Sequence, residues 1–202
     1  MLPASSAPPK PLSPRAMPHA FEVDSYTIRR KFLKVLGASF HIYDGQEQLI
    51  AFCKQKAFKL REDIRIFEDE ALTKPLLTIQ ARQAIDFSAA YDIVDATTGA
   101  KVGAARRKGF TSLVRDSWEI LDADDQVIDK LQEDSTALAL ARRLLSGLIP
   151  QKFHLGSGVT FKQRFNPVIF KMDVELQNAD VDRRLVLGVA CLIAAIEGRQ
   201  KS

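Results

Sequence analysis

The stretch LVLGVACLIAAI, residues 185–196, decides the fold of this chain because it is apolar on every face. A helix that is hydrophobic all round is buried, either in a protein interior or in lipid. Twelve helical residues extend about 18 Å, whereas a bilayer core requires about 20 residues. Charged residues also bound the run, with Arg183 and Arg184 before it and Glu197 after it. We therefore predict a central helix over 183–197 that the rest of the chain encloses; a membrane-spanning helix is the alternative.

The composition is that of a globular domain of ordinary size. The chain has 202 residues, of which 46% are hydrophobic, and a formal net charge of +4. A chain of this length buries a core without disulfide support, so we expect one domain over 21–199. The positive charge is moderate, which accommodates an anionic partner without requiring one.

The two cysteines and the first twenty residues indicate where the chain works. Cys53 and Cys191 form no CxxC motif, and one lies inside the apolar helix, which favours reduced, buried thiols and a cytoplasmic location. Residues 1–20 hold six prolines and no apolar signal region, so we predict a disordered tail. Its segment 8–11 (PPKP) offers a ligand for an SH3-type protein partner, although a solvated tail is the simpler interpretation.

A five-residue pattern occurs four times: an apolar residue, a polar residue, isoleucine, an apolar residue and an acid. Its copies begin at Phe40, Ile64, Tyr91 and Trp118, and their central isoleucines are Ile42, Ile66, Ile93 and Ile120, spaced by 24, 27 and 27 residues. Turn-forming residues and a second β run follow each copy, so the unit is a β-hairpin repeated in a meander. The acids at the turns are suited to hydrogen bonds with turn backbone.

The remaining segments complete a mainly β chain. Residues 135–146 follow good N-cap residues and are predicted as a helix. Residues 159–165 and 168–176 return to strand, the second with clear alternation of apolar and polar residues. Repeated hairpins with few helices are typical of a sandwich or a barrel, and a large antiparallel barrel can hold a helix along its axis.

These features together resemble the Tubby C-terminal-like superfamily, and within it the LURP-one-related proteins and the phospholipid scramblases. Three segments carry the resemblance: residues 118–122 (WEILD), residues 107–110 (RKGF) and residues 182–193 (DRRLVLGVACLI). The resemblance covers about residues 22–198. It implies a closed antiparallel β-barrel of about twelve strands around the C-terminal hydrophobic helix.

The resemblance also implies a site for anionic lipid. In Tubby proteins a basic stretch after the comparable strand helps to bind a phosphoinositide head group. On that basis the lipid-binding candidates are Lys54 and Lys56, then Lys59 and Arg61, with a second cluster of Arg106, Arg107 and Lys108. Each basic residue near an anionic membrane surface contributes about 1 kcal/mol. A solvated strand face paired with nearby acids is the alternative interpretation.

Other chemistry has little support in the sequence. Asp122, Asp124, Gln126 and Glu133 fit part of a calcium-loop template, but Val127 stands where that template needs glycine, so we expect no metal site. Proteins that bind single-stranded nucleic acid combine basic residues along the phosphate backbone with exposed aromatic side chains that stack on the bases. The sequence does not indicate such a surface, so we expect no nucleic-acid partner. Catalytic motifs are absent, and we expect no enzyme activity and no cofactor.

The sequence thus predicts a non-enzymatic binding module that docks on anionic lipid or phosphoinositide head groups through a basic hairpin edge. One alternative is an intracellular protein-interaction module whose tail or acidic segment recruits a partner. Another is lipid scrambling, which follows from the resemblance alone.

Overall fold

A computed structural model of the chain describes residues 19–31, 38–55, 63–82, 90–107, 118–133, 151–166, 169–177 and 180–197. These residues form twelve strands followed by one helix, α1, at Arg183–Glu197. The strands are β1 Ser25–Lys31, β2 Ala38–Asp44, β3 Leu49–Gln55, β4 Asp63–Phe67, β5 Pro75–Ala81, β6 Ala90–Asp95, β7 Lys101–Arg107, β8 Trp118–Leu121, β9 Val127–Glu133, β10 Lys152–Leu155, β11 Val159–Arg164 and β12 Ile169–Leu176. The helix predicted over 135–146 and the tail predicted over 1–20 lie outside the described residues, apart from residues 19 and 20.

The strands form a closed antiparallel barrel. Each strand pairs with the next one along the chain, and β1 pairs with β2 on one side and with β12 on the other. The predicted barrel around a C-terminal helix is therefore confirmed. Because neighbouring strands are antiparallel, the turns after the even-numbered strands lie at one end of the barrel and the connections after the odd-numbered strands lie at the other.

The four-fold sequence pattern corresponds to a repeated structural feature. Its central isoleucines, on β2, β4, β6 and β8, are all fully buried. Directly after each of them the pairing register with the following strand shifts, which marks a β-bulge at the same place in four hairpins. A bulge bends its strand and increases the local twist. The repeat thus supplies both the inward-facing core and the curvature that closes the barrel.

Three of the four acids that end the repeat stabilise the turns, as predicted, and in the second copy the following residue, Asp69, accepts the turn N–H of Ala71 instead of Glu68. The Oδ1 atom of Asp44 accepts hydrogen bonds from the backbone N–H groups of Gln46 and Gln48, at 2.8 and 2.9 Å. Asp95 and Asp122 bind the backbone N–H groups of the turns that follow them in the same way. These acids therefore have a structural role in the hairpins.

Helix α1 lies inside the barrel, with residues 185–195 all buried. Its closest approach to the wall depends on glycine. A Cβ atom at Gly188 would lie only 2.8 Å from Cγ2 of Ile93 on β6, and one at Gly103 on β7 would lie 2.9 Å from Cδ1 of Leu185 on the helix. Two buried free thiols also belong to this core, Cys53 on β3 and Cys191 on α1. Burial and a hydrogen bond between the two thiols raise the pKa of the Cys53 thiol, which makes it unreactive in the folded state.

The N-terminus of α1 is tied to the barrel by Arg184. The Asp182 carboxylate caps the helix by accepting the N–H of Arg184 at 2.9 Å. The Arg184 guanidinium in turn donates to Asp182 at 2.6 Å and to Asp95, the last residue of β6, at 2.9 Å. The hydrogen bond from Arg184 holds the pKa of Asp182 below its usual value. Partial burial raises the pKa of Asp95, but hydrogen bonds from Arg184 and the turn N–H groups outweigh it and leave that pKa lowered.

We predict that Arg184→Gln lowers the free energy of unfolding by about 1 kcal/mol at pH 7, because the guanidinium is partly exposed and solvent screens its ion pairs. Carboxyl groups whose pKa is lowered by folding contribute stability above their unfolded pKa of about 4, and this is lost as the pH falls through the lower folded values. The difference between variant and parent should therefore shrink at pH 2 to 3. Urea unfolding followed by Trp118 fluorescence measures the difference in free energy of unfolding between variant and parent at each pH. An equal loss of stability at both pH values would contradict this assignment.

Candidate functional site

The structure places Lys54, the first of the predicted lipid ligands, on the outer surface of β3. Its neighbours across the sheet are Ser39 on β2 and Arg65 on β4. Lys54 is exposed and makes no ion pair with any described residue, whereas Arg65 is held by two hydrogen bonds of 3.0 Å to Asp63. Lys54 is therefore available to an anionic ligand. Lys56, Lys59 and Arg61, which follow it in the chain, lie outside the described residues.

The second predicted cluster lies elsewhere on the barrel, on β7. Arg106 donates two hydrogen bonds to the same oxygen of Glu119, at 3.0 and 2.6 Å, and the Glu119 side chain is only 7% exposed. The Arg107 guanidinium lies 6.0 Å from the ring centre of Trp118. Both arginines thus have structural contacts, and four strand positions separate them from Lys54 around the barrel. Lys108 lies outside the described residues.

A larger set of basic side chains, which the sequence analysis did not single out, meets on the outer surface of β11, β12, β1 and β2. The pairing register places Arg164 beside Lys171, Lys171 beside Arg29, and Arg29 beside His41. Lys162 lies two residues before Arg164 on the same outward face of β11. We call these residues, Lys162, Arg164, Lys171 and Arg29, the basic face. Adjacent strands are about 4.8 Å apart, so its cations are close neighbours.

Acidic residues only partly neutralise the basic face. Arg164 is paired with Asp173, and Arg29 with Glu47. Lys162 and Lys171 make no ion pair or hydrogen bond with any described residue. Four cations thus share two carboxylates, and the two lysines supply the uncompensated charge.

The electrostatic environment of Glu47 reflects this excess. The hydrogen bond from Arg29 is the largest cause of a lowered Glu47 pKa, and it outweighs a small effect of desolvation in the other direction. The positive charges of Lys171 and Arg164 lower the same pKa further. The field of the basic face therefore already stabilises a carboxylate anion at its margin, and it can stabilise other anions in the same way.

A second charged cluster, on the far side of the barrel, is balanced. Arg82 bonds Asp92 at 2.5 Å and also pairs with Asp125, while Lys101 lies 2.7 Å from Asp125 and 3.8 Å from Asp92. Two cations and two anions here neutralise one another across β5, β6, β7 and the turn after β8. This network joins strands and offers no excess charge to a ligand.

The acidic residues that fit part of the calcium-loop template make hydrogen bonds within the turn. Asp122 accepts the N–H groups of Asp124 and Gln126, so its Oδ1 atom is engaged in the turn. No group of three or more potential metal ligands occurs within the described ranges. In the same part of the chain, no helix combines the length and the apolar character that a membrane span requires.

Comparison with known families gives one result. The chain matches the family model described as LURP-one-related over residues 49–194, which extends from β3 into α1. A search of curated proteins found no significant match.

Proposed function

This chain belongs to the LURP-one-related family, within the Tubby C-terminal-like superfamily, and from that membership we propose that it docks on anionic phospholipid head groups at a membrane surface. Proteins of these families are generally non-enzymatic, and a binding module agrees with the structural use of its carboxylates. The observation that carries the proposal is the basic face, on which Lys162 and Lys171 have no acidic partner among the described residues.

Lys54 extends the proposed docking surface around the barrel. It projects from β3, and β2, with its outward-facing His41, lies between β3 and Arg29 on β1. The three uncompensated lysines of this surface would contribute about 3 kcal/mol against an anionic membrane, at about 1 kcal/mol each. Such an attraction supports reversible, salt-sensitive docking rather than insertion.

Scrambling is less well supported than docking. The apolar helix α1 fills the barrel, and residues 185–195 would have to leave the core and lose their contacts with β5, β6, β7 and β12 before they could enter a bilayer. Docking through outward-facing lysines requires no such rearrangement.

We predict that charge reversal at Lys54 and Lys56 together abolishes flotation of the chain with liposomes that contain acidic phospholipid. The substitutions replace two charges that attract the acidic membrane with two that repel it. Both lie at the hairpin edge that the family resemblance indicates. Flotation with neutral and with acidic vesicles measures the effect. The matched control reverses Lys74 and Lys130, which changes the net charge equally at other exposed positions. Unchanged flotation of the Lys54 and Lys56 variant would remove this edge from the site.

A further inference from the structure

Phe165 is the most exposed of the large apolar residues in the described part of the chain. It is 59% exposed, and the other two exposed ones, Val127 and Ile128, lie at the opposite end of the barrel, where β9 begins. Phe165 directly follows Arg164, the last residue of β11, and so lies at the end of the barrel where the odd-numbered strands finish. A single exposed apolar residue is common, so its surroundings decide whether it has a role.

The backbone is held in place on both sides of Phe165. Before it, Arg164 is paired with Lys171 in the ladder between β11 and β12. After it, the Oδ1 atom of Asn166 accepts a hydrogen bond from the backbone N–H of Ile169 at 2.9 Å, which ties this residue to the start of β12. Phe165 therefore has a defined position relative to the cations of these two strands, and a ligand that buries its ring orders little that is not already ordered.

The uncompensated lysines of the docking surface lie toward the same end of the barrel. Lys54 is one residue from the end of β3, Lys162 is two residues from the end of β11, and Lys171 is two residues from the beginning of β12. At about 3.3 Å per residue, these positions lie within about 7 Å of the strand ends. The cations available to an anionic membrane and the exposed ring are thus close to the same level along the barrel.

The opposite end of the barrel is acidic. The connections after the even-numbered strands hold one basic residue, Lys74, and nine acidic ones: Glu47, Glu68, Asp69, Glu70, Asp122, Asp124, Asp125, Asp180 and Asp182. The two arginines that begin α1 at this end are each paired with acids there. In the sequence of the connections after the odd-numbered strands, by contrast, nine residues are basic and four are acidic. An anionic surface therefore repels one end of the barrel and attracts the other.

We propose that Phe165 is a membrane anchor: the barrel docks end-on, and this ring enters the head-group layer of a bilayer rich in anionic phospholipid while the three lysines contact lipid phosphates. The inference rests on the proposed docking function and gives it an orientation. Apolar side chains beside basic ones bind at the boundary between head groups and acyl chains, where burial of apolar area and electrostatic attraction act together. Burial of the ring adds an attraction that salt does not screen, and the barrel itself stays outside the bilayer.

The first test measures where Phe165 lies in the bound state. Both native cysteines are fully buried, so Phe165→Cys allows selective attachment of a polarity-sensitive fluorophore to the full chain. With vesicles that contain acidic phospholipid, its emission should shift to the blue, and lipids spin-labelled near the head group should quench it more than lipids labelled deep in the acyl chain. Ile128→Cys, labelled in the same way, is the matched control at the acidic end and should show neither change. A response at position 128 that equals or exceeds the response at 165 would overturn the orientation.

The second test measures the contribution of the ring to affinity. Phe165→Ala should weaken binding to acidic vesicles by about fivefold or more, because apolar area is lost, and should leave the salt dependence of binding unchanged. Phe165→Trp should bind at least as tightly as the parent. The matched control Ile128→Ala should change the affinity by less than about twofold.

The outcomes separate this inference from the docking function on which it rests. Unchanged affinity of Phe165→Ala, with the parent still bound to acidic vesicles, would overturn the anchor and leave docking intact. A parent chain that fails to bind acidic vesicles would overturn both. Sedimentation of the free chain tests the rival occupant: a dimer that Phe165→Ala dissociates, and that acidic vesicles fail to dissociate, would overturn the anchor in favour of a second copy.

Discussion

Replacing Lys162 and Lys171 together by glutamate should reduce binding of the chain to acidic phospholipid vesicles by about a thousand-fold. Each lysine contributes about 1 kcal/mol of attraction near an anionic surface, and each glutamate replaces it with repulsion of similar size. The total change of about 4 kcal/mol corresponds to three powers of ten in affinity. Vesicle flotation or sedimentation at fixed ionic strength measures it, because the interaction is screened over about 10 Å at 0.1 M salt.

The double variant is expected to fold. Position 171 lies between Arg29 and Arg164, so a carboxylate there gains two basic neighbours. Position 162 lies between Lys152 and Asp173, so a carboxylate there has one basic and one acidic neighbour. Reversal of Lys74 and Lys130 again provides the control with the same change in net charge. Loss of binding in the control as well would show that net charge, rather than the basic face, governs association. Full binding by the Lys162 and Lys171 variant would exclude the basic face.

Gly188→Leu should destabilise the chain by more than about 3 kcal/mol and leave little folded protein. Even the first added carbon would lie 2.8 to 3.1 Å from three atoms of Ile93, whose side chain is fully buried and cannot move into solvent. Overpacking of a filled core costs roughly 1 to 3 kcal/mol for small additions and more for large ones. Gly188→Ala should also destabilise, although alanine in an ordinary helix position is favoured over glycine by about 1 kcal/mol.

Urea unfolding followed by the fluorescence of Trp118 measures these changes. Gly45→Ala is the control, because no atom lies within 4 Å of a Cβ atom at that exposed turn position; we expect a change below about 0.5 kcal/mol. In the Gly188→Ala variant, the further substitution Ile93→Ala should lower the free energy of unfolding less than it does in the parent. The reason is that it removes the side-chain atoms that the new Cβ atom would otherwise contact too closely. Stabilisation by Gly188→Ala would contradict the close packing of α1 against β6.

Much of the fold was predictable because its signals are local. The apolar run around Cys191 had to be buried, and the repeated pattern around Ile42 and Ile93 had to alternate across a sheet. The turn acids act on backbone two to four residues away, so sequence proximity was enough to assign them. Strand β10, in contrast, is four residues long and was not singled out by its pattern. Its place depends on pairing with β11 across a three-residue turn.

The candidate site was less predictable because its residues are far apart in the chain. Lys54 was identified from its local cluster of lysines together with the resemblance to Tubby proteins, and it does lie exposed on the surface. Arg106 belonged to an equally basic segment, yet Glu119 on the neighbouring strand neutralises it. Charge density along the sequence therefore does not distinguish a free cation from a paired one, because the partner is chosen by strand register.

The sequence by itself determined that this chain is a β meander with hairpin turns stabilised by acids and with one helix that must be enclosed. These properties follow from periodicity and from the cost of leaving apolar surface in water. Only the tertiary structure decided which charges meet. Arg29 and Lys171 become neighbours because β1 closes the barrel against β12, and among the described residues β10 pairs only with Gln132 and Glu133 of β9. Barrel closure and register are global properties, so no local pattern of residues carries them.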